Sequence, residues 1–590
     1  MKADNLNEKE IIIRELVNSG INVTPSILEF LLKLEDPLKK VKLIIRNVSF
    51  LPNFDSHLTK EILQKISNVE IHEALKKVLF KEIQTKSFQE KDFSSPLDAS
   101  GSEEAQIKDF EVSENTIQMK SEIEEIPLKI NEIETVSQQK HVKNKIKRSL
   151  FEGSRSNLVF RPIAKDYEFN YDILKDPTGK IHTNGEYEDF YNLTLDKFNK
   201  LRNLMRKRPE VLSANNIKNI LRLTNKVEVA ALGMVNEIRK TKNGNFFLTL
   251  EDLTSIINVI IRKDSENQEN VKVAERTLND QMVYIEGTYN PGERGKSGII
   301  YGNYITKIDI PRDYEPNKSL DPLSIVLISD THIGSKEFEE KLWNRFINFL
   351  NGKIGNKSQK ERAGRIKYII INGDLIDGIG VYPQQKSDLI ISDIFAQFKK
   401  ANEILSGIPD YIKIFYSSGN HEPVRNAIPR PAVPKKYSEE LINSGVICIG
   451  NPSIVQTHNV NTLVFHGDSL LDLNMLIPGF ENNKPVETMK ELLRCRHLAP
   501  IYGKKTQIAP TSKDWLVIDK IPDIFHTGHI HINEMGAYNN ILLTNSGCFQ
   551  SQTEFMNSLG IHPTPGILSI VDLDTLHGTQ LDLKSSDYSS

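Results

Sequence analysis

Five segments in the second half of the chain end an apolar run in residues that bind metal ions. In order, Ser324–Ser329 runs into Asp330-Thr331-His332, Tyr368–Asn372 into Gly373-Asp374, and Ile412–Ser418 into Gly419-Asn420-His421-Glu422. Thr462–Phe465 then leads to His466-Gly467-Asp468, and Ile524–Thr527 to Gly528-His529-Ile530-His531. Ten of the fourteen histidines lie beyond residue 330, which concentrates imidazole in this half. A mixed nitrogen and oxygen donor set with open positions suits Mn²⁺, with Mg²⁺, Fe²⁺ or Zn²⁺ as alternatives. Two such cations about 3.5–4 Å apart activate water and stabilise an in-line displacement at phosphorus, provided an anionic ligand offsets their repulsion. Any one segment is weak evidence, because a histidine at a strand end is commonly structural and G-D or G-N-H recurs by chance. The conjunction of five, each closing an apolar run, carries the reading.

Those runs lack polar alternation, as expected of strands buried between layers, and ligands at the carboxyl ends of such strands converge on one edge. Glycines beside Asp374, Asn420, His466 and His529 permit the tight turns and close backbone approach that a crowded site requires. His458, His497 and His562 lie outside these segments and, with His526, which neighbours the site, are read as structural.

The 590 residues exceed what one core usually serves, so several domains are expected. Helical spacing at Ile11–Leu16 and Ile27–Leu34, with Thr24-Pro25 and Asp36-Pro37 as helix starts, predicts a helical N-terminal domain over 1–82. The stretch 83–148 is rich in Ser, Glu, Gln and Lys without periodicity and reads as a disordered linker. A mixed connecting region over 149–222 holds a helix near Leu195–Arg206. Five runs (Val227–Ile238, Phe246–Glu251, Ile256–Ile261, Met282–Tyr289 and Ile299–Ile308) predict an OB-fold β-barrel over 223–312. The polar stretch 266–278 would be the helix inserted in it. That barrel either binds single strands or docks a partner, and its scarcity of exposed aromatics favours docking.

The net charge of −3 gives no global attraction for nucleic acid, so any DNA contact must be local. Three cysteines without CxxC spacing exclude a disulfide framework and a cysteine zinc site. No apolar run approaches the ~20 residues that span a bilayer, so no membrane association and a cytoplasmic location are expected.

The pattern D-x-H, G-D, G-N-H-[DE], H and G-H-x-H over Leu323–Asp572 resembles the calcineurin-like metallophosphoesterases. That resemblance implies a four-layer αββα domain over 320–585 within a multidomain α+β chain. It implies that Asp330, His332 and His531 hold one metal and Asn420, His466 and His529 the other, with Asp374 bridging. His421 would be the non-ligand catalytic histidine that faces the scissile phosphate. Nucleases of this kind often carry a histidine three residues after the bridging aspartate, where this chain has Asp377. The same metal pattern is shared by protein and nucleotide phosphatases, and the fold also serves as a non-catalytic scaffold.

Three further segments, Arg496–Gly503, Ile521–His529 and Asn545–Phe555, are similar to the small subunits of archaeal family-D DNA polymerases. So is the order of parts. That resemblance implies a 3′–5′ proofreading exonuclease acting on single-stranded or mismatched 3′ ends. It implies a separate large catalytic polymerase subunit as partner, with a sliding clamp reached through the holoenzyme. Arg496–Gly503, between the fourth and fifth segments, would form a loop near the cleft or a partner-facing surface, with the partner preferred, and Lys504, Lys505 and Lys513 would touch the DNA backbone or, as is commoner for such a cluster, serve as solubilising surface.

Overall fold

Proline fixes φ and lacks an N–H, which suits a first helical position, and two helices begin on the prolines singled out by the sequence. These are α1 (Pro25–Leu32) and α2 (Pro37–Val48), which bury Ile27, Phe30, Leu31, Val41 and Ile44 together with Ile12 and Leu16. The short strands β1 (Asn22–Val23) and β2 (His57–Leu58) pair in parallel. The computed structural model describes residues 160–585, except 266 and 293–296, and scattered residues between 11 and 63. The remainder of the helical region expected over 1–82, and the linker over 83–148, lie outside the described residues. The chain divides into two units, Met1–Ile146 and Lys147–Ser590.

In the second unit, β3 (Tyr171–Lys175) precedes α3 (Tyr187–Met205). This helix starts eight residues before the expected Leu195, because Glu186 and Asp189 form a capping box that lacks the usual Ser or Thr signature. Five strands follow: β4 (Val227–Lys240), β5 (Phe246–Glu251), β6 (Ile256–Ile261), β7 (Met282–Asn290) and β8 (Ile299–Thr306). They close in the order β4-β5-β6-β8-β7, with β7 pairing back on β4, as in an OB-like barrel. Leu248, Leu250, Val259, Ile285 and Ile300, inward at the two-residue period of a strand, fill it. The inserted helix α4 (Gln268–Glu275) lies where the polar stretch predicted it.

Two six-stranded sheets make up the rest. The first has the order β12-β11-β10-β9-β18-β19, formed by β9 (Ser324–Ile328), β10 (Ile366–Asn372), β11 (Lys413–Ser417), β12 (Ile447–Ile449), β18 (Ile567–Asp572) and β19 (His577–Asp582). The second has the order β16-β17-β15-β14-β13-β3, with β13 (Ser453–Thr457), β14 (Val460–Val464), β15 (Ile524–Thr527), β16 (Glu534–Tyr538) and β17 (Ile541–Asn545). Alternate residues of β9–β11 divide between two cores. Ile325, Leu327, Tyr368, Ile370 and Phe415 pack against Val455, Val464 and Ile524 of the other sheet. Val326, Ile328, Ile369, Ile371 and Ile414 pack against α5 (Glu340–Leu350), α6 (Lys357–Arg365), α7 (Ile394–Leu405) and α8 (Lys435–Asn443). On the far side, Ile454, Leu463, Phe465, Phe525 and Leu543 meet α9 (Leu470–Leu476) and α10 (Pro485–Cys495). Strands covered on both faces must be apolar throughout, which explains the unbroken runs in the sequence.

Barrel and sheets are joined by polar contacts, the innermost of them out of water. Lys307 Nζ lies 2.5 Å from Glu491 Oε1 on α10, with both side chains nearly inaccessible, and also donates to the Arg276 carbonyl at 2.7 Å. Lys197 of α3 donates to the Pro500 carbonyl at 2.7 Å, and the Tyr502 N–H to Asp280 Oδ2 at 2.9 Å. The segment Arg496–Gly503 is therefore largely internal: Arg496, His497, Leu498 and Ala499 are buried, and Tyr502 alone among its large side chains is exposed. The expectation that it faces a partner is corrected accordingly. Its Pro500 carbonyl meets α3 and its Tyr502 N–H meets the barrel, while Arg496 and His497 bond to the Ile518 carbonyl and Asp514.

Candidate metal centre

The five expected segments meet at one edge. β9, β10 and β11 are parallel neighbours in the first sheet, and β14 and β15 are parallel neighbours in the second. Asp330, His332, Asp374, Asn420 and His421 follow the carboxyl ends of the first set, and His466, His529 and His531 those of the second. Five of these residues hold left-handed backbone: Asp330 (φ 52), His332 (52), Asp374 (51), His529 (69) and His531 (63). Such conformations are costly for non-glycine residues and cluster at functional sites. Neighbouring glycines admit the crowding. A Cβ at Gly419 would overlap Asp374 Oδ1, and one at Gly528 would lie 2.6 Å from Asp330 Oδ2.

Among the described residues, three sets of ligand-type atoms converge: Asp330, His332 and His531; His332, Asp374 and His421; and Asp374, His466 and His529. His531 Nε2 is 3.4 Å from Asp330 Oδ1 and 3.1 Å from His332 Nε2. His466 Nε2 lies 3.3 Å from Asp374 Oδ2 and 3.0 Å from Asn420 Oδ1. Asp374 Oδ2 is also 3.9 Å from both His332 Nε2 and His421 Nε2, so this carboxylate stands between the two groups.

Hydrogen bonds behind the site fix which nitrogens face it. His332 Nδ1 is 2.9 Å from the Asp377 carboxylate, His466 Nδ1 2.8 Å from the Asn372 carbonyl and His421 Nδ1 2.6 Å from the Asp377 carbonyl. A carbonyl only accepts, so Nδ1 carries the hydrogen in His421 and His466, and a carboxylate imposes the same on His332. Each Nε2 then points into the centre. With a neutral ring, His466 Nε2 against Asn420 Oδ1 is a pair of acceptors that requires a proton or a cation between them. Asp330 Oδ1 is buried without a hydrogen-bond partner. An orphaned carboxylate oxygen amid converging imidazoles fits a divalent cation.

The electrostatics agree. Burial raises the carboxyl pKa of Asp374, but the charges of His466 and His421 outweigh it and hold the group well below the carboxylate range. Burial likewise disfavours charge on His466, yet Asp374 brings its pKa up to about 10. Burial, reinforced by the His466 charge, takes His529 down to about 4, and burial with the His421 charge lowers His332. Both rings are therefore neutral at physiological pH, as a metal ligand must be, whereas burial disfavours charge on His531 but Asp330 outweighs it and raises the pKa, so His466 and His531 would each release a proton on binding metal.

The structure also assigns positions to residues that the sequence left open. Asp377 does not replace a ligand. Its carboxylate orients His332, its carbonyl orients His421, and Gln385 Nε2 binds it at 2.9 Å. Glu422 accepts the N–H groups of Asp374, Leu375 and Gly419 at 3.0, 2.9 and 2.6 Å and the Tyr416 hydroxyl at 2.7 Å, pinning two of the loops to each other. It belongs to the third motif segment, which was the available signal. His526 stays off the centre, with Nε2 2.9 Å from Ser546 Oγ, and His497 pairs with Asp514 at 2.9 Å, both as expected of structural histidines. Lys505, expected to be plain surface, lines a cavity of about 270 Å³ over the centre, with Tyr382, His421 and Phe555. No motif marked Tyr382.

Residues 325–534 match the family of B-type subunits of DNA polymerases alpha and epsilon. The DNA polymerase II small subunit of Pyrococcus horikoshii is 38% identical over 429 residues, spanning 71% of this chain and 68% of that protein. Its counterpart in Methanothermobacter thermautotrophicus is 36% identical over 411 residues, spanning 70% of this chain and 83% of that one. That of Archaeoglobus fulgidus is 37% identical over 398 residues, spanning 68% and 78% respectively. With this identity over most of both chains, and a barrel followed by paired sheets, the chain belongs to the family of archaeal family-D DNA polymerase (DNA polymerase II) small subunits.

Proposed function

We propose that this chain supplies the 3′–5′ exonuclease of a heteromeric replicative DNA polymerase, through a calcineurin-like metallophosphoesterase domain that holds two divalent cations, Mn²⁺ foremost. The observation that carries this reading is the convergence of Asp330, His332, Asp374, Asn420, His466, His529 and His531 on one another, at the floor of a cavity lined by His332, Asp374, Asn420, His529 and His531 together with His421. Bound cations activate water and offset the charge that develops on the phosphoryl oxygens. Asp330, His332 and His531 would hold one, Asn420, His466 and His529 the other, and Asp374 both. His421, with Nδ1–H tied to the Asp377 carbonyl, presents Nε2 to the substrate side, where a proton on it can pass to the departing 3′ oxygen. Family membership supports a large catalytic subunit as partner, DNA as substrate, and a clamp reached through the assembled polymerase.

The test is digestion of a 3′-mismatched primer by the full chain with Mn²⁺. His421→Ala is expected to keep the metal content and to lose about 10²–10⁴ in rate, the usual worth of a general acid or base. Undiminished digestion by that variant would refute the role given to His421. Turnover of phosphoproteins without action on DNA would instead favour a phosphatase.

A further inference from the structure

The cavity over the metal centre has two unlike walls. One is polar and made by His332, Asp374, Asn420, His421 and the His529–His531 turn. The other is apolar, with Tyr382, Phe555, Met556, Leu559 and Ile561. Within it the rings of Tyr382 and Phe555 are stacked, 5.8 Å between centroids and 12° from parallel, and the Tyr382 ring is 6.4 Å from that of His421.

These aromatics are presented to the cavity rather than packed away. Phe555 is 52% exposed although it belongs to a short helix, α11 (Glu554–Ser558), whose Met556 is buried as its anchor. Tyr382 is held by its hydroxyl on Asp388 at 3.1 Å, and its loop by the Val381 N–H on Gln385 Oε1 at 2.9 Å. The same Gln385 side chain binds the Asp377 carbonyl at 2.7 Å, and that carbonyl orients His421. The aromatic wall and the catalytic histidine are thus mechanically tied.

The size and chemistry of the space choose its occupant. About 270 Å³ falls just below the ~300–1,000 Å³ of small-molecule sites, too little for a helix of about 10–12 Å diameter or for a base pair. A flat π face beside a phosphate-handling centre, with the exposed Lys505 at the mouth, matches one nucleotide: base on the rings, backbone on the polar wall. We propose that Tyr382 and Phe555 form the subsite that stacks the unpaired 3′-terminal nucleobase, an inference that rests on the nuclease reading above. A base reaches that wall only after leaving the duplex stack. Selection of frayed, mismatched ends then follows from the shape of this cavity without readout of base identity.

The full chain with Mn²⁺ is assayed on two single-stranded oligonucleotides that differ only in carrying an ordinary or an abasic 3′-terminal nucleotide. The unaltered protein is expected to show a KM about tenfold lower for the base-bearing end, the usual scale of base–aromatic stacking. Phe555→Ala and Phe555→Leu should erase that difference, and Phe555→Trp should restore it. Because Leu keeps the apolar volume, its failure to rescue isolates the ring itself. Equal KM for the two ends in the unaltered protein, or a difference that survives Phe555→Ala, overturns the subsite while leaving the nuclease reading intact. Cleavage of neither end overturns both.

Discussion

Asp377 stands three residues after Asp374, beside the candidate metal centre, and its replacement separates two accounts of this loop. The carboxylate accepts from His332 Nδ1 at 2.9 Å and from Gln385 Nε2 at 2.9 Å, with Gln550 Nε2 further off at 3.4 Å. Burial raises its pKa, but the hydrogen bond and charge of His332 more than compensate, so it is ionised at neutral pH. Removing such a partner of a metal-binding histidine typically costs 10–100-fold in metal affinity, about 1.4–2.7 kcal/mol. Asp377→Ala also leaves the His332 and Gln385 N–H groups unpaired inside the protein, at about 1–3 kcal/mol each, so a stability loss of about 2–6 kcal/mol is expected. Asp377→Asn keeps one acceptor and the shape while losing the charge, and should weaken Mn²⁺ by about tenfold. Calorimetric titration with Mn²⁺, alongside urea denaturation in a chelator, measures the two quantities separately. Native Mn²⁺ affinity in Asp377→Ala, together with the stability loss, would show that Asp377 only braces the loop and that the orientation of His332 is set elsewhere.

Two further outcomes follow from the same geometry. In metal-free protein, the stability contributed by His466, whose pKa rises from 6.5 to about 10, is complete below pH 6.5 and falls as pH climbs towards 10, whereas that of His529, depressed to about 4, is complete above pH 6.5 and is lost as pH falls towards 4, ahead of that of Asp374, depressed from 3.8; denaturation midpoints in chelator should therefore peak near pH 6.5, and a monotonic rise through pH 9 would contradict the pairing. Mn²⁺ must displace the His466 proton, so its affinity should increase with pH over 6.5–10, with proton release visible as a buffer-dependent enthalpy. At the barrel junction, Lys307→Met strands the buried Glu491 with only Arg494 at 3.1 Å and should cost about 3 kcal/mol in thermal denaturation, while the double change Lys307→Met with Glu491→Leu recovers much of it.

The barrel and the strands that carry the candidate ligands were legible because their signals are local. Phe246–Glu251, Ile256–Ile261 and Ile524–Thr527 begin and end where the apolar runs do, since a strand buried on one or both faces must be apolar at those positions. The start of α3 was missed because Glu186 serves as the cap in place of Ser or Thr. β3 was missed because its exposure alternates with little apolar bias, and its place comes from pairing with β13, nearly three hundred residues away. Arg496–Gly503 was misread for a related reason. A segment rich in His, Arg and Tyr looks like surface until its partners, Lys197, Asp280 and Asp514, are brought to it.

Residue type and order alone determined which side chains were candidates to bind metal, because donor chemistry is a property of the amino acid and a glycine beside it is a property of the next position. Tertiary structure decided the rest. Only the packing of two sheets brings Asp330 within reach of His531 across two hundred residues, turns Nε2 of His332 and His466 inward through Asp377 and Asn372, and holds five of the candidate ligand positions in left-handed backbone. It also sets Tyr382 against Phe555 above the centre. Directions and distances of this kind are fixed by contacts between remote segments, and no local pattern encodes them.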